Sequence, residues 1–236
     1  MKILKVNNYE EVSEQAAMLI AAQIKLNAKS LLGLATGSSP IGTYQRLIQW
    51  YKEGRIDFSQ VTSVNLDEYV GLDVKNPQSY RYFMEHQLFS HVNIKKENTY
   101  VPDGMAADPN EAGRNYDEML RAMGNIDLQL LGIGNNGHIG FNEPSDCFVE
   151  GTHVVDLKES TIKANARFFE SEDQVPRKAV TMGMGGIMRA KKVLLIASGK
   201  EKAAIIEKAF HGPVTPQIPA SILQLHPDCT VVYSES

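Results

Sequence analysis

Short apolar runs alternate with segments of helical period along nearly the whole chain, and this alternation limits the fold more than any other feature. Lys2–Val6, Leu31–Ala35, Val61–Leu66, Ile126–Ile133, Ala179–Met182, Val193–Ser198 and Cys229–Tyr233 have strand length and composition. Gly151–Leu157 is a further strand segment. Between them, residues 9–28 place Val12, Ala16, Leu19, Ile20 and Ile24 at helical spacing. Helices are also expected from Pro40 to about Glu53, over Gln78–Phe89, Asp108–Met123, Ser160–Phe168 and Lys200–Phe210, with a short one between Met182 and Val193. Asp108-Pro109 is a good cap and first-turn pair. Continuous apolar strands that alternate with helices predict an α/β fold. Its form is a mainly parallel central sheet with helices on both faces, a Rossmann-like three-layer sandwich.

A chain of 236 residues suits a single domain over 1–236. Such a chain buries roughly 70–75 % of its unfolded surface and needs no covalent staple. Its two cysteines, Cys147 and Cys229, form neither a disulfide framework nor a CxxC metal site. They fit a reducing, cytoplasmic setting, with Cys147 expected to be a buried, inert thiol. A net charge of −4 argues against nucleic acid as a partner. No apolar run reaches membrane-span length, and the first residues read as a strand rather than a signal peptide. Scattered histidines without HExxH spacing predict no metal.

Ligands in doubly wound sheets bind at the carboxyl ends of strands. The first such end is Thr36-Gly37-Ser38-Ser39-Pro40, leading into a helix. Unpaired N–H groups and serine hydroxyls there suit an anion, and the same residues also suit a plain helix cap. The second end is Asn65-Leu66-Asp67-Glu68-Tyr69. Adjacent strand side chains face opposite ways, so one of Asp67 and Glu68 is expected to face the cleft, where it could act as a base.

The third is Gly132-Ile133-Gly134-Asn135-Asn136-Gly137-His138-Ile139-Gly140-Phe141-Asn142-Glu143-Pro144. Gly132, Gly134 and Gly137 match GxGxxG, with Asp156 downstream, but Gly140 and Pro144 break the helix that dinucleotide binding requires. What remains is His138 with Glu143 to orient it and Asn136 close by, a set suited to proton transfer. Arg167 and Lys202 are candidate phosphate cations.

Together these strings resemble the glucosamine-6-phosphate deaminase (isomerase) family. Leu34-Ala35-Thr36-Gly37-Ser38-Ser39-Pro40, Asn65-Leu66-Asp67-Glu68-Tyr69-Val70-Gly71-Leu72 and the Gly132–Pro144 string occur in family order. So do Ala164-Asn165-Ala166-Arg167-Phe168-Phe169 and Leu223-Gln224-Leu225-His226-Pro227. The Leu66–Leu72 and Gly137–Pro144 strings are specific. The Thr36–Pro40 string is shared with relatives that bind other sugar phosphates.

The resemblance implies conversion of glucosamine 6-phosphate to fructose 6-phosphate and ammonia, without cofactor or metal. It implies phosphate held by Gly37, Ser38, Ser39, Arg167 and Lys202. Asp67 is implied as the isomerisation base, and His138, with Glu143 and Asn136, as the ring-opening group. It further implies a mobile lid over about 156–175 and a monomer or small homo-oligomer. Part of the family carries Asp at Asn136, so the relay here is expected to rest on Glu143. An end at Ser236 leads to an expectation of little activation by N-acetylglucosamine 6-phosphate. The rival readings are a 6-phosphogluconolactonase-like hydrolase and a sugar-phosphate-sensing module.

Overall fold

The computed structural model describes residues 1–166, 169 and 171–236. The chain opens with β1 (Lys2–Lys5), α1 (Tyr9–Leu26), β2 (Leu31–Leu34) and α2 (Ile41–Lys52). It continues with β3 (Thr62–Asn65), β4 (Asp67–Tyr69), α3 (Tyr80–Gln87), β5 (Thr99–Tyr100), α4 (Pro109–Met123) and β6 (Leu128–Leu131). Then come β7 (His153–Asp156), α5 (Glu159–Ala166), β8 (Lys178–Thr181), α6 (Met184–Met188), β9 (Val193–Ser198), α7 (Lys200–His211) and β10 (Cys229–Ser234).

Seven strands form one sheet in the order β1-β10-β9-β6-β2-β3-β5, and every neighbouring pair in it is parallel. The buried runs of β2, β6 and β9 lie at its centre, as unbroken apolar strands must. Helix caps follow the sequence chemistry. Asn8 accepts from Glu11 N–H at the start of α1, and Asp108 accepts from Asn110 and Glu111 N–H at the start of α4.

The structure departs from the sequence expectation in one layer. The runs expected over Gly151–Leu157 and Ala179–Met182 do not join the central sheet. They become β7 and β8, which pair antiparallel with each other, and β8 pairs antiparallel with β4 in a second, three-stranded sheet. The physical reason sits at Leu66. The run that begins as β3 switches sheets there, and Met182 N–H donates to Leu66 O at 2.7 Å. No single-strand pattern reveals such a change of partner. Tyr69, Phe141, Leu157, Ile162, Val175 and Ala179 then make a second small core on this sheet. Cys147 is exposed rather than buried, because it lies in the irregular stretch before β7.

Candidate active site

A cleft of about 970 Å3 opens at the carboxyl ends of the central strands. Thr36, Gly37, Ser38 and Ser39 line it together with Asp67, Asn136, His138 and Lys202. The cleft lies where strand order reverses: the chain steps outward from β2 to β3, then returns to place β6 on the other side of β2.

The anion loop is held from outside. The Tyr9 hydroxyl donates toward Ser38 O (3.1 Å) or Ser39 O (3.2 Å) and accepts from Gly42 N–H at 2.8 Å. Gly37 has φ +86°, a left-handed turn that favours glycine. The cap residue of α2 is Pro40, which makes no side-chain cap bond. The capping reading therefore loses its main support, and the Ser38–Ser39 segment faces the cleft.

Asp67 and Glu68 divide as alternation requires. Asp67 lines the cleft and is 6 % exposed. Burial, reinforced by the Glu68 charge, pushes its carboxyl up to about 8. Glu68 points away from the cleft. It accepts from the backbone N–H of Tyr69 (2.9 Å), Tyr80 (2.9 Å) and Arg81 (3.0 Å), so it ties the start of α3 to β4. Burial raises Glu68, and these N–H donors work against the rise.

The glycine loop after β6 folds back on itself instead of opening a helix. Gly134 N–H donates to His138 O at 2.9 Å and Gly137 N–H to Gly134 O at 3.0 Å. A Cβ on Gly134 would stand 2.2 Å from the His138 ring, so the imidazole lies flat on a bare backbone. Gly140, at φ +58°, brings the same loop against Asp67, whose Oδ2 would lie 3.4 Å from a Cβ there.

His138 Nδ1 lies 3.4 Å from Glu143 Oε1, close enough for charge attraction but not aligned as a hydrogen bond. Asn136 Nδ2 donates to the other oxygen, Oε2, at 2.6 Å, and Asn136 Oδ1 accepts from His138 N–H at 3.2 Å. Asn136 thus holds both partners by neutral bonds. Its amide has no proton to transfer in catalysis.

Lys202 Nζ donates to Ile133 O (2.9 Å) and Asn135 Oδ1 (2.6 Å), which places its ammonium at the mouth of the glycine loop. Burial lowers it from the ordinary lysine value. Arg167, the other expected cation, lies outside the described residues. Three further cleft residues were not singled out in the sequence: Lys163, Glu201 and Tyr80. Lys163 and Arg167 are four apart, the spacing of one helix face, which was a usable signal. Tyr80 carried none, because its approach depends on the Glu68 clamp. The Leu223–Pro227 string does not reach the cleft. His226 is buried, with its ring nitrogens bonded to Ala190 O (2.8 Å) and Asp228 N–H (3.1 Å), and it ties the segment entering β10 to the segment entering β9. Among the described residues no group of three or more His, Cys, Asp or Glu could hold a metal ion.

Comparison with known proteins places this fold. The profile of the glucosamine-6-phosphate isomerases/6-phosphogluconolactonase family matches residues 6–232. A glucosamine-6-phosphate deaminase of Lachnoclostridium phytofermentans is 62% identical over 232 residues, 98% of each chain. One from Clostridium perfringens is 55% identical over 100% of this chain and 97% of its own. A solved monomeric glucosamine-6-phosphate deaminase superposes with TM-score 0.97 at 45% identity, covering 99% of this chain and 97% of that one. The 6-phosphogluconolactonase of Thermotoga maritima has TM-score 0.74 at 19% identity, with 100% of this chain and 99% of that one covered, a likeness of fold alone.

Proposed function

The chain belongs to the glucosamine-6-phosphate isomerase/6-phosphogluconolactonase family, and on that premise we infer a reaction for its cleft. It converts glucosamine 6-phosphate and water into fructose 6-phosphate and ammonium. We propose that the anion loop and Lys202 grip the phosphate, aided by Arg167, and that Lys163 on α5 covers this end as part of the 156–175 lid.

His138 then takes the proton of the anomeric hydroxyl and returns one to the ring oxygen, which opens the sugar. Glu143, steadied by Asn136, offsets the charge that forms on the imidazole. Asp67 removes the proton from carbon 2 and delivers one to carbon 1, while a proton of the substrate ammonium passes to the carbonyl oxygen on carbon 1. The resulting iminium at carbon 2 adds water and expels ammonia, leaving the ketose. Each positioned acid or base accounts for about 10²–10⁴-fold in rate. The substrate ammonium beside Asp67 favours its ionised form, which the buried cleft alone disfavours. A solved relative at 45% identity is a monomeric deaminase, and this supports action as a monomer.

One observation carries this reading: a buried carboxylate, Asp67, and a histidine that stands against Glu143, His138, line the same cleft as the anion loop. The test is ammonium and fructose 6-phosphate release from glucosamine 6-phosphate by wild type and Asp67→Asn. Wild type should release both in equal amounts, and the variant should lose at least about 10²-fold in kcat. Turnover that survives in Asp67→Asn removes Asp67 from its role. Hydrolysis of 6-phosphogluconolactone without ammonium release would transfer the chain to the lactonase branch.

A further inference from the structure

Tyr80 is the first residue of α3, and its surroundings fix it from several elements at once. Its backbone N–H is held by Glu68, the neighbour of Asp67. Its ring stacks on Phe141 of the glycine loop, with centroids 6.0 Å apart and planes 8° apart. Its other side packs on Tyr69 at 4.8 Å. The hydroxyl donates to the Tyr69 hydroxyl at 3.4 Å, and the Thr36 side chain shares its cleft. Tyr80 also lines the cleft beside Asp67.

A phenol so placed has a defined chemistry. Burial pushes it well above its ordinary value, and the nearby Tyr69 and Asp67 add to the rise. The hydroxyl therefore keeps its proton throughout the working range, while Asp67 changes charge. It offers one donor and one acceptor in a fixed direction, without competing with Asp67 for the proton of carbon 2. Tyr80 lines the cleft together with Thr36, which begins the anion loop, and Asp67. A sugar phosphate gripped at the loop, with carbon 2 at Asp67, lies in the cleft that this ring walls.

We propose that Tyr80 is a substrate-positioning residue: its hydroxyl, fixed by Tyr69 and Phe141 in the cleft that Asp67 lines, hydrogen-bonds the polar substituents at the reacting end of the sugar rather than the phosphate. The proposal rests on the sugar-phosphate reading above, and its test separates the two. Tyr80→Phe keeps the stacked ring and removes one oxygen.

Two probes then report on opposite ends of the cleft, inorganic phosphate on the anion end alone and fructose 6-phosphate on both. In Tyr80→Phe, competitive inhibition by inorganic phosphate should be unchanged, and inhibition by fructose 6-phosphate should weaken about tenfold. The kcat/KM for glucosamine 6-phosphate should fall by at least the same factor. Equal weakening of both probes would mean that Tyr80 merely shapes the Thr36 loop, and it overturns the proposal. Unchanged kinetics with a lowered melting temperature would show a purely structural hydroxyl, and also overturns it. Failure of wild type to release ammonium counts against the reaction itself, whatever the variant does.

Discussion

At the residue scale, Asp67 combines two demands that oppose each other. A base must ionise, yet this carboxyl is buried beside a second buried carboxylate, and its value rises to about 8. The consequence for stability has a definite sign. Below about pH 4 the group is protonated in both the folded and unfolded chain and costs nothing. Between about 4 and 8 the folded protein retains a proton that the unfolded chain releases, so stability falls as pH rises. Above 8 the full cost remains. Asp67→Asn removes this titration while keeping the shape of the neutral acid. The variant should match wild type near pH 4 and exceed its stability by about 3–5 kcal/mol above pH 8. Denaturant melts of both proteins across this range measure the gap. A gap that stays constant with pH would refute the raised value, and a gap that closes as pH rises would reverse its sign.

At the element scale, the cleft depends on one side chain that never enters it. Glu68 accepts three backbone N–H bonds and joins the first turn of α3 to β4, so it sets where both Tyr80 and Asp67 stand. In Glu68→Gln one end of the group becomes a donor facing N–H groups. The loss should be about 2–3 kcal/mol of stability, or roughly 5–10 °C in melting temperature for a chain of this size. Turnover should fall less than in Asp67→Asn. An unchanged melting temperature would show that α3 is anchored elsewhere. This clamp also marks how far the sequence could be read. Alternation along Asp67-Glu68 predicts one inward carboxylate, and the glycine and proline content of Gly132–Pro144 predicts an irregular loop. Both hold, because period and backbone freedom are local properties. The second sheet was not legible. Whether Gly151–Leu157 pairs with the central sheet or with β8 depends on partners distant in the chain, and apolar runs of similar length serve either. Tyr80 was invisible for the same reason, since its approach to Asp67 runs through Glu68 and Phe141, both outside its own segment.

At the scale of the whole molecule, strand order explains why distant segments meet. β9, β6, β2 and β3 are consecutive in the sheet, so the segments that follow them, carrying Lys202, His138, the anion loop and Asp67, become neighbours at one edge. The small sheet adds a wall through the pairing of Asp67 with Thr181. A ligand spanning this edge links at least four segments that otherwise meet only through the sheet, and it binds the folded chain alone. Fructose 6-phosphate at 100 times its Kd should therefore stabilise the protein by about 2.7 kcal/mol and raise the melting temperature by roughly 5–10 °C. Lys202→Ala should lose most of that shift. A chain that acts as a monomer, as proposed, should have a melting temperature without ligand that does not change with protein concentration. A rise with concentration would show that a second copy completes the fold. A ligand shift that survives in Lys202→Ala would move the phosphate grip away from α7 and onto the Ser38–Ser39 loop alone.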